Sequence, residues 1–155
     1  MALRPIRPSD HALLREIYAD AIESQAGTLY SPEQVKAWAA LAWLPGVLDR
    51  SLEEGRGWIS GWDDAFAVRY PAARLALLYC RGRSSGQGHA SALLKQIEQD
   101  AWDQGVERLA TEASAMSRPL LLRRGWKLIA PETIKIAGVI FERYRMEKLL
   151  RHVWS

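Results

Sequence analysis

The segment from Cys80 to Ala90 constrains the fold most, because it joins an apolar run to an amphipathic helix through a glycine-rich turn. Residues 75–80 are apolar and typical of a buried strand. After the turn, apolar residues recur with the period of one helix face, at Ala90, Leu93, Leu94, Ile97 and Ala101. Glycines let successive N–H groups converge, and a helix N-terminus adds unpaired donors and the positive end of its dipole. The segment therefore predicts a site for a phosphate or pyrophosphate group.

Two other phosphate-binding loops also connect a strand to a helix, and neither matches. A P-loop requires Lys followed by Ser or Thr directly after its last glycine, whereas Gly88 is followed by His89. A dinucleotide-binding loop requires an acidic residue about twenty positions further on, and Glu112 lies near that distance. The dinucleotide-binding motif is therefore less clearly excluded than the P-loop. The remaining alternative is a plain strand-to-helix turn whose glycines serve only its geometry.

Length and composition favour one soluble domain over residues 1–155. The hydrophobic content of 48% and the charged content of 25% are ordinary for a globular protein. A net charge of +3 favours anionic ligands, but basic and acidic residues are interspersed, and only the stretch from Arg143 to Arg151 is rich in basic residues. We do not expect nucleic-acid binding there, and a basic nucleic-acid-associated protein is kept as an alternative.

Cysteine and histidine usage predicts neither a disulfide nor a metal site. Cys80 is the single cysteine, and His11, His89 and His152 lack the spacing of metal ligands. Residues 1–8 lack the apolar region of a signal peptide, and no apolar run is long enough to span a membrane. We expect a cytoplasmic protein without a membrane partner.

The order of elements predicts an α/β (α+β) fold with a mixed, mostly antiparallel central sheet of about six to seven strands flanked by helices. A first strand over residues 3–7 is followed by a helix that ends near Gly27. Ser31, Pro32 and Gln34 predict the start of a second helix with a capping box. Three strands, the helix after the glycine-rich turn, a strand, a short helix and two last strands follow. Those last strands are predicted over 126–130 and 139–149, and parallel pairing is expected where a helix crosses over.

This order and the glycine-rich loop resemble the GNAT superfamily of acyl-CoA-dependent N-acetyltransferases, in particular a bacterial branch of short members with mostly unassigned acceptors. The family's loop reads Gln or Arg, two residues, Gly, one residue, then Gly or Ala. Arg83-x-x-Gly86-x-Gly88 matches it literally, but we prefer Ser85-x-x-Gly88-x-Ala90, which aligns the apolar pair of the helix. Further resemblance is carried by Tyr30 to Trp38, Thr111 to Ser114, Arg118-Pro119, Arg123 to Trp126 and Arg145 to Lys148.

The resemblance implies acetyl-CoA as co-substrate, an amine acceptor on a small molecule or an exposed amino group, and a monomer or homodimer. The strand before the loop would bind pantetheine through the backbone of Leu78, Tyr79 and Cys80. The loop would hold pyrophosphate, and its site residues are Ser85, Gly86, Gln87, Gly88, His89 and Ala90. Ser114 stands where the family often has an asparagine that contacts pantetheine or orders water; the alternative role is a helix cap.

Acetyl transfer from a thioester to an amine requires a neutral amine, a donor for the oxyanion and an acid for the leaving thiolate. The family's acid is a tyrosine, and the resemblance puts Leu121 at its position. We predict Tyr144 as the replacement, with Tyr30 as a second candidate, although either tyrosine would also suit the core. Glu112 is predicted to deprotonate the amine, and its alternative is a cap or solvated carboxylate. Because the usual acid is missing, a CoA-binding module without transferase activity is the second hypothesis.

Overall fold

The computed structural model describes residues 2–150. Its strands are β1 (Leu3–Pro5), β2 (Arg56–Ser60), β3 (Ala65–Arg69), β4 (Leu75–Cys80), β5 (Arg108–Ala113), β6 (Lys127–Ile136) and β7 (Val139–Leu149). Its helices are α1 (His11–Gln25), α2 (Pro32–Ala39), α3 (Asp49–Glu54), α4 (His89–Asp103) and α5 (Arg118–Arg123). The predicted fold class is confirmed, and so is the order of its helices and strands. No helix between residues 2 and 150 is both long enough and apolar enough to cross a membrane.

The strands form two antiparallel sheets rather than one continuous central sheet. The first has the order β1-β2-β3-β4 and the second the order β5-β7-β6. The parallel pairing expected between β4 and β5 is reduced to one bridge, Arg74 with Ala110, which lies just before β4. There the Ala110 N–H donates to the Ala73 carbonyl at 2.9 Å. Beside this bridge, the Thr111 hydroxyl donates to the Leu75 carbonyl at 2.7 Å. The threonine side chain thus occupies the carbonyl that a backbone N–H of β5 would bind in a continuous parallel ladder. The sheet is therefore open between β4 and β5.

Strand β6 extends beyond its predicted end at residue 130 and includes Pro131. Proline cannot donate a ladder hydrogen bond, but β6 lies at the edge of its sheet, where one side needs no partner. Pro131 follows a register shift between Leu128 and Ala130 and lies opposite Tyr144 of β7. The proline therefore does not end the strand.

Helices cover both sides of the sheets, and each side has its own buried cluster. On one side α1 and α2 pack against the sheets through residues that include Ile17, Trp38 and Phe66. On the other side α4 packs through Leu93 and Ile97, with Leu121 of α5 in the same cluster. The opening between β4 and β5 is thus enclosed by α1 and α2 on one side and by α4 and α5 on the other.

The capping box predicted at the start of α2 is confirmed. The Gln34 N–H donates to the Ser31 hydroxyl at 3.1 Å, and the Ser31 N–H donates to Gln34 Oε1 at 2.9 Å. The remaining end of the same amide, Nε2, donates to the Ile140 carbonyl of β7 at 3.0 Å. Tyr30, which directly precedes this cap, is therefore held in place relative to both α2 and β7.

Asp10 is bound by Arg4, and this ion pair predicts how stability depends on pH. Both Arg4 Nη atoms donate to the carboxylate at 2.8 Å, and the Arg7 N–H donates at 2.8 Å. These hydrogen bonds, chiefly those from Arg4, lower the pKa of Asp10 from 3.8 to about 2. The stabilisation is complete above the unfolded-state pKa and is lost as the pH falls through the folded-state pKa.

We expect the free energy of unfolding to fall by about 2 kcal/mol between roughly pH 4 and pH 2 because of Asp10. Urea unfolding of the wild type and of Asp10→Asn over this range measures the difference, since the variant has no carboxylate to protonate. Equal pH dependence in the two proteins would contradict the prediction.

Candidate active site

The opening between β4 and β5 forms a cavity of about 570 Å³, a volume typical of small-molecule sites. Residues of α1, α2, β4, β5, α5, β6 and β7 line it, together with the loop that connects β4 to α4. Of the predicted site residues, those at its wall are Leu78, Tyr79, Cys80, Ser85, Gly86, Gly88, His89, Ala90, Glu112 and Ser114. Gln87 and Tyr144 are not at the wall.

The free edge of β4 presents backbone hydrogen-bonding groups to this cavity. The Arg81 N–H donates to the Asp64 carbonyl at 2.8 Å, in line with the ladder that pairs β3 with β4. Antiparallel ladders alternate, so every second residue of β4 directs its N–H and C=O away from β3. Leu78 and Cys80 are two of these residues. Their backbone groups face the gap towards β5, as a ligand that pairs with a strand edge requires.

Tyr79 differs from its two neighbours, because the alternation directs its backbone groups to Phe66 of β3. Its predicted role as a backbone contact to pantetheine does not fit this geometry, and Tyr79 offers the cavity its side chain instead. On the free edge itself, the Cys80 carbonyl accepts a hydrogen bond of 2.6 Å from Gln25 Nε2 of α1. The N–H and C=O of Leu78 and the N–H of Cys80 are left for a ligand.

The loop before α4 has a row of backbone donors at the same end of the cavity. Gly86 and Gly88 have φ of +77° and +90°, and the first bond of α4 runs from the Ala92 N–H to the Gly88 carbonyl. Within residues 2–150, no hydrogen bond uses the N–H groups of residues 86–91. A Cβ added at Gly86 would meet no atom within 4 Å, so the space beside the loop is open. This row of donors, at the positive end of a helix dipole, suits a pyrophosphate.

The first part of the loop is fixed by acidic side chains. The Gly82 N–H donates to Asp20 Oδ1 at 3.2 Å, and the Ser84 hydroxyl donates to Asp64 Oδ1 at 2.5 Å. The Ser85 N–H donates to the Gly82 carbonyl at 3.2 Å and is not free for a ligand. The loop is therefore anchored before Gly86 and open to a ligand after it.

His89 begins α4 and is only 8% exposed. Its Nδ1 lies 2.7 Å from the hydroxyl of Ser60 in β2, which fixes the ring against the first sheet. The imidazole thus serves packing, whereas the backbone N–H belongs to the free row. Among residues 2–150, no group of three or more His, Cys, Asp and Glu side chains has an arrangement that could hold a metal ion.

Glu112 reaches the cavity beside the bridge that joins the two sheets. Arg74 Nε donates to both of its carboxylate oxygens, at 3.0 and 3.2 Å. The ion pair is partly exposed, with 26% of the Glu112 side chain accessible. Glu112 is therefore oriented by Arg74 and remains open to the cavity.

Tyr30 and Ser114 meet at the end of β5. The Tyr30 hydroxyl oxygen accepts a hydrogen bond of 2.9 Å from the N–H of Ala115, the residue directly after Ser114. Burial raises the pKa of the Tyr30 phenol, which keeps it protonated. Ser114 in turn accepts from the N–H groups of Met116 and Ser117, both at 3.2 Å, as a capping serine does.

The structure brings one of the two predicted acid tyrosines to the cavity. Tyr30 is part of the wall, whereas the Tyr144 ring packs under the Arg118 guanidinium, 4.2 Å from its carbon. Leu121, which the resemblance puts at the usual position of the acid, is 1% exposed and has no proton to donate. The position of Tyr30 beside the capping box was the available sequence signal for its fixed orientation.

Sequence reasoning did not predict an aromatic wall on the side of α1 and α2. It is formed by Tyr18, Tyr30, Trp38, Tyr79 and Phe141. The closest ring centroids, those of Tyr18 and Tyr79, are 4.4 Å apart. Burial raises the pKa of Tyr79 to about 12 and raises that of Tyr18 as well, so both phenols stay neutral. The helical spacing of Tyr18 and Trp38 on apolar faces was the only trace of this wall in the sequence.

Comparison with known proteins is consistent with this geometry. A family model described as an acetyltransferase (GNAT) domain matches residues 30–148. The uncharacterized N-acetyltransferase YafP of Escherichia coli (strain K12) is 24% identical over 153 residues, which cover 97% of each chain.

Solved structures share the fold. The crystal structure of a GCN5-related N-acetyltransferase from Rhodopseudomonas palustris has a TM-score of 0.90 and 27% identity, and covers 96% of this chain and 95% of its own. The PaiA N-acetyltransferase of Thermoplasma acidophilum, solved in complex with coenzyme A, has a TM-score of 0.69 and 17% identity over 96% of this chain and 99% of its own.

Proposed function

Because the chain belongs to the GNAT family of acetyltransferases, we propose that it transfers the acetyl group of acetyl-CoA to the amino group of a small molecule. The transfer occurs by direct attack of the amine on the thioester. The observation that carries this proposal is the row of free N–H groups at residues 86–91, next to the free edge of β4. A phosphate-binding helix start and an open strand edge, in one cavity, match the two halves of the CoA molecule.

Acetyl-CoA is held by backbone groups in this proposal. The pyrophosphate accepts hydrogen bonds from residues 86–91, and the amide groups of pantetheine pair with Leu78 and Cys80 along β4. The thioester then lies near the end of the free edge, where a β4 N–H donates to the carbonyl oxygen as negative charge develops on it. Backbone donors suit this role because they are fixed before the reaction begins.

The reaction follows from the side chains that surround this position. The amine nitrogen forms a bond to the acetyl carbon, and the bond between that carbon and sulfur breaks. The thiolate takes the phenolic proton of Tyr30, whose hydroxyl oxygen is held by Ala115, and the phenolate regains a proton from solvent. Glu112 accepts the proton that the amine must lose, directly or through water.

The proposed roles are tested by three variants in an assay of CoA thiol release. We expect Tyr30→Phe to lower kcat by about 100-fold, because the leaving thiolate loses its acid. Glu112→Gln lowers the rate most at low pH, where the amine is mainly protonated and depends on a base. Tyr144→Phe is the matched control for the loss of one hydroxyl and keeps a rate close to that of the wild type. A slow Tyr144→Phe with an unaffected Tyr30→Phe would reverse the assignment of the acid.

Leu121 supports a second candidate function, that of a CoA-binding module without transferase activity. The two functions differ in a single measurement, since both require saturable acetyl-CoA binding and only one releases thiol in the presence of amines. Acetyl-CoA binding without thiol release for every amine would favour the module.

The alternative of nucleic-acid binding rests on the basic stretch from Arg143 to Arg151, whose described basic residues already have acidic partners. Arg143 contacts Glu132 at 2.5 Å, and Lys148 contacts Glu98 at 2.5 Å. Arg151, the end of that stretch, lies outside the described residues.

A further inference from the structure

The acceptor side of the cavity is apolar and aromatic, and this composition restricts the acceptor. The aromatic wall defined above covers the side of α1 and α2. Ile134 and Ile136 of β6 extend this apolar surface, and so does Met116 after β5. Along β6 these two isoleucines alternate with exposed residues, so they form the cavity-facing side of the strand.

The aromatic wall consists of closely spaced rings. The centroids of the Tyr18 and Tyr79 rings are 4.4 Å apart, and those of Trp38 and Tyr79 are 6.4 Å apart. An acceptor with several hydroxyl or ammonium groups would lose water against these rings and gain few hydrogen-bond partners, which is costly. An apolar skeleton has no such cost and gains free energy from the area it buries.

Formal charge at the cavity is also limited. Arg74 is paired with Glu112, and Arg143 is paired with Glu132. Arg123 of α5, on the side of α4, is an exposed cation of the wall whose side chain has no hydrogen bond or ion pair within residues 2–150. Glu142 is the carboxylate at the wall whose side chain has no hydrogen bond or ion pair within residues 2–150, and it is exposed. Glu142 is therefore a carboxylate to which one ammonium group could bind.

On this basis, and resting on the proposed transferase function, we infer that the acceptor is a small primary amine with a single positive charge on an aromatic or other apolar skeleton. Glu142 attracts the ammonium form from solvent, and the skeleton packs against the aromatic wall. Tyrosine and tryptophan faces stabilise the cation as it loses water. Burial then favours the neutral amine, the form that attacks the thioester.

The inference is tested with three amines at saturating acetyl-CoA: 2-phenylethylamine, spermidine and glucosamine. We expect kcat/KM for 2-phenylethylamine to exceed the other two values by at least about tenfold, which corresponds to about 1.4 kcal/mol of discrimination. A higher value for spermidine or glucosamine would overturn the inference and leave the transferase function intact. Bound acetyl-CoA with no thiol release for any amine would overturn both.

Two pairs of variants test whether the named residues cause the preference. Ile136→Glu adds a carboxylate to the apolar wall and should lower the ratio of 2-phenylethylamine to spermidine activity at least about tenfold. Its matched control is Ile129→Glu on the same strand, since Ile129 is 47% exposed and lies outside the cavity wall.

The second pair of variants tests the carboxylate of Glu142. Glu142→Gln should raise KM for 2-phenylethylamine several-fold and leave KM for acetyl-CoA unchanged, whereas Glu147→Gln, on the same strand but outside the wall, should alter neither. If Ile136→Glu and Ile129→Glu keep the same substrate ratio, the aromatic and apolar wall does not select the acceptor.

Discussion

Replacing Gly88 with aspartate is expected to weaken acetyl-CoA binding at least about 100-fold. The new carboxylate would lie at the start of α4, among the free N–H groups of residues 86–91, and would occupy the place of the pyrophosphate while repelling it. Gly88 has φ of +90°, so any side chain there also strains the backbone by roughly 1–2 kcal/mol. Calorimetric titration with acetyl-CoA measures the loss of affinity.

Strain and charge are separated by a matched control at the other end of the same helix. Gly105 has φ of +84°, and a Cβ added there would meet no atom within 4 Å. Gly105→Asp therefore introduces the same residue at a similar backbone geometry, far from the cavity wall. We expect it to lower stability and to leave acetyl-CoA affinity unchanged. Equal affinity of Gly88→Asp and the wild type would contradict the assignment of the loop as the pyrophosphate site.

Replacing Asp100 with alanine is expected to destabilise the fold by about 3 kcal/mol or more, the largest effect on stability that we predict. Asp100 lies in α4 and accepts hydrogen bonds from Arg69 at 2.6 Å and from Arg56 at 2.8 Å. The Arg69 side chain is 2% exposed, and Asp100 is the acidic residue that neutralises it. Removal of the carboxylate would leave a buried guanidinium without a counter-charge. These hydrogen bonds, chiefly those from Arg56, lower the pKa of Asp100 and keep it charged.

Urea unfolding near neutral pH measures this loss. Asp103→Ala is the control, since Asp103 ends the same helix, is exposed, and is bonded only to Gln99, at 2.9 Å, among the described residues. Asp103→Ala tests whether the loss of any carboxylate on α4 destabilises the fold. We expect little change in its free energy of unfolding. Equal stability of the two variants would show that the Arg69 pair contributes nothing specific.

Local features were predictable from the sequence because their causes are local. The capping box needs only Ser31 and Gln34, three residues apart, and the start of α4 needs only the glycines and the apolar spacing after them. The gap between β4 and β5 lies where parallel pairing was expected from the sequence. Its physical cause, the Thr111 hydroxyl at the Leu75 carbonyl, joins residues 36 positions apart in the sequence.

The proposed acid illustrates the same limit at the site. Tyr144 was predicted as the acid and Tyr30 was the second candidate, although neither tyrosine has a neighbour in the sequence that distinguishes it. The fold distinguishes the two tyrosines. The Tyr144 ring packs against the Arg118 guanidinium, whereas the Tyr30 hydroxyl accepts a hydrogen bond from the N–H of Ala115, 85 positions away in the sequence. The continuation of β6 through Pro131 could not be predicted from the sequence either, because only the order of strands in the sheet shows that β6 is an edge strand.

The amide of Gln34 couples two parts of the chain that are 106 positions apart in the sequence. Its oxygen closes the cap at Ser31, next to the proposed acid, and its nitrogen binds β7 beside Phe141 of the aromatic wall. Only a group with a donor at one end and an acceptor at the other can serve both contacts. A glutamate at this position could still accept the hydrogen bond from the Ser31 N–H, but it could not donate one to the Ile140 carbonyl of β7. The position of the acid, Tyr30, relative to Phe141 therefore depends on the chemical asymmetry of one side chain.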